Sequence, residues 1–152
     1  MKVRTGFVSN SSSSSFILIF DALPKSVEDL MPMLEFADAS TEFSPEKYAE
    51  TIFKDITEAE EPDDEELWNL LETIVFIENL EAYFDARSKD QRDLLDQKIE
   101  KILDARFAEF KSKYNGKVIR VLMYSDSDGS FFSALEHGCF FENMEHIYVN
   151  QH

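Results

Sequence analysis

Apolar residues are arranged in two ways along this chain, as short continuous runs at the two ends and as helically spaced positions between them. "KVRTGFV" (2–8) and "FILIF" (16–20) read as strands, rich in Phe, Val and Ile. The second run is apolar at every position, which predicts a strand covered on both faces. Between them lies a polar block, Ser9 to Ser15, interrupted only by Asn10. It reads as a hairpin loop or sharp connection in which Asn and Ser side chains satisfy local backbone groups. Phe7 and Phe16 flank the block and are expected to be buried, pinning its ends.

The middle of the chain carries helix signals. In "LPKSVEDLMPMLEF", Ser26 is a suitable N-cap with Asp29 three residues on, and Pro32 shortens or kinks the helix. Ser44 followed by Pro45 starts a second helix through "EKYAETIFKDI". The sequence predicts a long helix over 64–86, with Leu67, Leu71 and Ile74 on one stripe and Trp68, Leu70, Val75 and Phe76 on another. Two apolar stripes would bury most of its circumference and make it the central helix. Another long helix is predicted over 89–114, capped by Ser88 and ended by Gly116, with Leu95, Ile99, Ile102, Leu103, Phe107 and Phe110 on its apolar face. Leu71, Ile74, Ile99, Ile102 and Phe107 are the expected core of this helical middle.

"KVIRVLMYSD" (117–126) returns to strand character, and "SDSDG" reads as a turn. "SFFSALEHG" fits either a short helix between Ser130 and Gly138 or a return strand. The last segment, "CFFENMEHIYVNQH", is strand-like at Phe140, Phe141, Ile147, Tyr148 and Val149. This order predicts an α+β fold: a small antiparallel or mixed sheet from the N- and C-terminal segments, covered by a central helical bundle. At 152 residues the chain reads as a single domain, 1–152, with sheet-forming ends at 1–20 and 117–152 and a helical middle at 21–116.

Charge changes this picture more than composition does. The formal net charge is −16, and residues 21–86 alone hold 20 acidic groups against Lys25, Lys47 and Lys54. Seven acids fall within 58–66. Direct binding to nucleic acid or to an anionic membrane is disfavoured, since both need clusters of Lys and Arg. A protein with a basic surface is the expected partner, with Glu60, Glu61, Asp63, Asp64, Glu65 and Glu66 as the contact. The composition leaves the oligomeric state open. No apolar run approaches the ~20 residues of a membrane helix, and the polar block interrupts the apolar region of any signal peptide. One cysteine, Cys139, permits no intramolecular disulfide and suits a reducing cytoplasm. It reads as a buried small hydrophobe.

Candidate chemistry is sparse. The serine block lacks a nucleophile elbow and a phosphate-loop lysine. Its consecutive amides suggest an anion-binding nest made by Asn10, Ser11, Ser12 and Ser13, with Arg4 assisting. Asp126, Asp128, Glu136 and His137 are candidate catalytic residues, carrying oxygen and nitrogen donors. The calcium-loop template fails, because Ser130 and Phe131 stand where a third ligand and a glycine are needed. Glu136 and His137 are neighbours, so a regular element should point them apart. His146 and His152 make no zinc spacing. The sequence therefore predicts no metal and no cofactor.

The opening "RTGFVSNSSSSSFIL" resembles that of small phage and bacterial proteins that begin R-x-G-F-V-S-N-S-S-S-S-S-F, and "YSDSDGSFFSALEHG" is similar to a later segment of the same group. The resemblance implies a phage or prophage setting and a location in the host cytoplasm. It suggests that the two chain ends meet in one sheet, with the serine block beside "SDSDG". Two functional expectations arise. One is a small acidic accessory protein that binds a basic host or phage protein and acts as a nucleic-acid mimic. The alternative is a metal- or anion-dependent enzyme, with its site formed by the serine turn and the C-terminal Asp/Glu/His segment.

Overall fold

The computed structural model describes residues 13–37, 39, 42–137 and 139–150. The predicted strand over 2–8, Phe7 and the first part of the serine block lie outside these residues. The fold is α+β, with six helices and a three-stranded antiparallel sheet among the described residues. The described chain forms two compact units, residues 63–115 and residues 13–62 with 116–150.

The second unit contains the sheet. Strand β1 (Ser13–Phe20) lies between β2 (Val118–Ser125) and β3 (His146–Asn150) and pairs antiparallel with both. Its central position explains the continuous apolar run: every residue from Ser14 to Phe20 is buried. Ser13, Ser14 and Ser15 belong to the strand and not to a loop. Both edges of β1 are hydrogen-bonded, so the ladder holds these residues extended where local turn chemistry alone would favour a bend.

Phe16, Leu18 and Phe20 contribute alternate positions to the core, where Tyr48, Ile52 and Ile56 of helix α2 (Pro45–Glu58) are also fully buried. Ser44 caps α2 by accepting from the Lys47 amide, and Pro45 occupies its first turn. The preceding helix α1 (Val27–Leu30) is a single turn capped by Ser26, and Pro32 lies in the 3-10 turn that ends it. Helix α6 (Ser130–His137) settles the ambiguity of "SFFSALEHG" and adds buried Leu135. Phe140 and Phe141 are buried in a turn rather than in a strand.

The described residues of the first unit form helices and their connections. The helix predicted over 64–86 is two helices, α3 (Asp64–Glu78) and α4 (Leu80–Asp85). Asn79 separates them with φ −112° and ψ 16°, and its side-chain amide donates to the Val75 carbonyl at 2.7 Å. That bond competes with helical propagation, a characteristic of Asn. Helix α5 (Lys89–Lys113) starts with a complete capping box between Ser88 and Gln91, and Gly116 beyond its end has φ +80°. Leu71 and Ile99 are buried as expected, while Ile74, Ile102 and Phe107 are only partly covered. Lys111 pairs with Asp64 at 2.8 Å and Arg106 with Glu78 at 3.0 Å, and Trp68 meets Phe107 edge-on. Among the described residues no helix is long and apolar enough to cross a membrane.

Candidate functional site

The strand register brings β1 together with two strands from the C-terminal segment. Ser13 stands opposite Ser125 on β2, and Ser14 opposite Asn150 on β3. Immediately after Ser125, residues Asp126–Asp128 form a 3-10 turn capped by the Ser125 hydroxyl. Gly129 follows with φ +110°, a conformation that penalises any residue with a Cβ. This reversal starts α6, whose last turn carries Glu136 and His137.

Glu136 is a buried carboxylate, only 2% exposed. The Ser14 hydroxyl donates to its Oε1 at 3.3 Å, and the same hydroxyl lies 2.9 Å from that of Tyr148 on β3. Tyr148 is two positions from Asn150, the direct partner of Ser14, so the pair is a diagonal contact on one sheet face. His137 Nε2 lies 3.5 Å from Glu136 Oε2. The adjacent side chains therefore converge, contrary to the expectation from helical spacing. Both lie in the last turn of α6.

Asp126 completes the cluster. One ligand atom each from Asp126, Glu136 and His137 lies within 4.8 Å of the others, a separation small side-chain shifts can close around one ion. Asp126 is half-buried, Glu136 buried and His137 exposed, so the group runs from the core to the surface. Asp128 lies on the exposed side of the turn, outside this group. Two carboxylates and an imidazole suit borderline first-row cations better than calcium.

Glu136 and His137 also form part of the wall of a cavity of about 280 Å³. Phe16, Phe141 and Tyr148 supply its aromatic side, and Cys139, Glu142 and His146 complete its polar side. The Phe16 and Tyr148 rings are 5.4 Å apart. Cys139 is exposed, not buried as expected, and immediately precedes the turn that buries Phe140 and Phe141. Sequence reasoning missed Ser14 and Tyr148, whose roles depend on strand register. It also missed Glu142 and His146, which carry no motif spacing.

The anion-nest residues Arg4, Asn10, Ser11 and Ser12 lie outside the described residues; Ser13 opens β1. The acidic stretch is partly engaged within the fold. Glu61 accepts from Arg120 at 2.7 Å, Asp63 caps α3 through the Glu66 amide, and Asp64 pairs with Lys111. Glu60, Glu65 and Glu66 are exposed. No protein-family model, curated protein or solved structure matches the chain.

Proposed function

We propose that the protein is a divalent-metal-dependent enzyme acting on a small molecule in the cavity beside α6. The observation that carries this reading is the convergence of Asp126, Glu136 and His137 ligand atoms within 4.8 Å, with Glu136 and His137 also lining the cavity. Three protein donors leave coordination positions for water or substrate, as catalytic sites require. A bound ion would supply Lewis acidity, lowering the pKa of a water or polarising a substrate oxygen. Ser14 holds Glu136 Oε1, orienting the carboxylate as an outer hydrogen-bond partner does in metal sites.

The test is calorimetric titration of chelator-treated protein with Zn2+, Mn2+ and Co2+, together with the visible spectrum of the Co2+ form. One saturable site is expected for at least one ion, weakened at least about tenfold in Asp126→Asn and His137→Ala but retained in Asp128→Asn. Absence of saturable binding, or equal binding by all variants, rules the reading out.

A second reading is favoured by the exposure of Glu60, Glu65 and Glu66. In it the chain is a phage-type accessory protein that presents this stretch to a basic protein surface. Such an interaction is electrostatic, so it should weaken as salt screens it.

A further inference from the structure

The charge of the cavity wall carries the functional reading one step further. Its ionisable members are Glu136, Glu142, His137, His146, Cys139 and Tyr148, and among the described residues neither lysine nor arginine lines it. The basic residues described in this unit are Lys25, Lys47, Lys54, Lys117 and Arg120. Lys117 pairs with Asp21, Arg120 pairs with Glu61, and Lys47 stands over the Phe43 and Phe131 rings. Among the described residues no side-chain cation lines the wall to receive a phosphate or carboxylate. Glu136 and Glu142 make the metal-free wall negative; were a divalent ion bound, Asp126 and Glu136 would offset its two positive charges and Glu142 would still leave the rim negative. Tyr148, 44% exposed, adds a ring face, and aromatic faces attract cations.

We infer that the cavity selects a substrate bearing an ammonium group, with exposed Glu142 as the residue that sets this preference. The proposal supplies the substrate class for the enzyme reading and rests on that reading for its catalytic meaning. Binding itself is measured on metal-free protein, so failure of the metal site and failure of the selectivity are separate results. Glu142 is an exposed turn residue, which makes it replaceable without disturbing the core.

Three probes of equal chain length isolate charge: butylammonium, butan-1-ol and butyrate. Each is titrated into chelator-treated, isotope-labelled protein at low ionic strength, following the amide resonances of Cys139, Glu142 and Tyr148. Butylammonium should bind about tenfold more tightly than butan-1-ol, with butyrate weakest. Glu142→Gln should reduce that preference to about twofold, and Glu142→Lys should place butyrate ahead of butylammonium. Glu50→Lys makes the same change in net charge as Glu142→Lys at an exposed residue that does not line the cavity, and should leave the order intact. Butyrate binding as well as butylammonium to the wild type overturns the proposal. So does an unchanged preference in both Glu142 variants, the same loss in Glu50→Lys, or the absence of probe-induced shifts at all three amides.

Discussion

Ser14, in the middle strand, donates its hydroxyl hydrogen to Glu136 near the end of α6 at 3.3 Å, although 122 residues separate them. Both residues are almost completely buried, and Tyr148 approaches the same hydroxyl from β3. A carboxylate withdrawn from water needs hydrogen-bond donors to remain tolerable. Here the donor comes from the serine-rich stretch at the other end of the chain.

Removing that donor should be felt in stability. Ser14→Ala should lower the unfolding free energy by about 1.5–3 kcal/mol, the range for hydrogen bonds to charged groups. Tyr148→Phe leaves the Ser14–Glu136 bond in place and should cost less, about 0.5–1.5 kcal/mol. Urea unfolding of both variants checks the order; a Ser14→Ala loss below about 0.5 kcal/mol would show that the bond contributes little.

Asp63 permits a separation of capping from charge. Asp63→Asn keeps a side-chain acceptor for the Glu66 amide and should change stability little, while Asp63→Ala should cost about 1 kcal/mol. If the acidic stretch binds a basic partner, Asp63→Asn combined with Glu65→Gln and Glu66→Gln should weaken low-salt binding with the fold retained. Equal capture by this variant and the wild type would remove the electrostatic reading.

Tyr124 donates to Asp55 at 2.8 Å, joining β2 to α2. Burial raises the Tyr124 pKa well above its ordinary 10.0, and the charge of Asp55 adds to the effect. Burial also raises Asp55 above its ordinary 3.8, opposed by the hydrogen bond from Tyr124. A raised folded-state pKa means that the Tyr124 contribution is present below about 10 and lost as pH rises toward its folded value. The stability advantage of wild type over Tyr124→Phe should thus be largest near neutral pH and shrink above about pH 10. Asp55 has the same sign at lower pH, so its contribution is complete below its unfolded value and lost as pH rises through the raised one. Unfolding curves for Tyr124→Phe and Asp55→Asn across both ranges check this; an advantage that grows above about pH 10 would contradict it.

Gly129 connects Asp126 to α6 with φ +110°, and a Cβ there would meet no atom within 4 Å. Gly129→Ala should therefore destabilise through backbone strain alone, by about 1–2 kcal/mol. It should also weaken the proposed metal affinity, because the turn sets the position of Asp126 relative to Glu136. Retention of both stability and affinity would show that the turn relaxes without moving Asp126.

Much of the secondary structure is local chemistry and was legible as such. Ser44 with Pro45, Ser26, and the Ser88–Gln91 capping box mark helix starts, because a helix leaves its first amides without backbone partners. The fully apolar "FILIF" marks a strand covered on both faces. Asn79 was missed because a side chain that breaks a helix in one setting faces solvent in another. The serine block was harder still: Ser and Asn favour turns locally, and only pairing with β2 and β3 keeps Ser13–Ser15 extended.

The sequence by itself determined that this is an acidic α+β chain with strands near its ends and helices between them, since caps, proline positions and hydrophobic spacing act over a few residues. The site depended on the tertiary structure. Asp126 and Glu136 are ten residues apart, and their convergence requires the Gly129 reversal and the length of α6. Ser14 and Tyr148 reach Glu136 only through a particular strand register. Register flips every side chain when it slips by one residue, so it is decided by the packing of the whole sheet and not by any short segment.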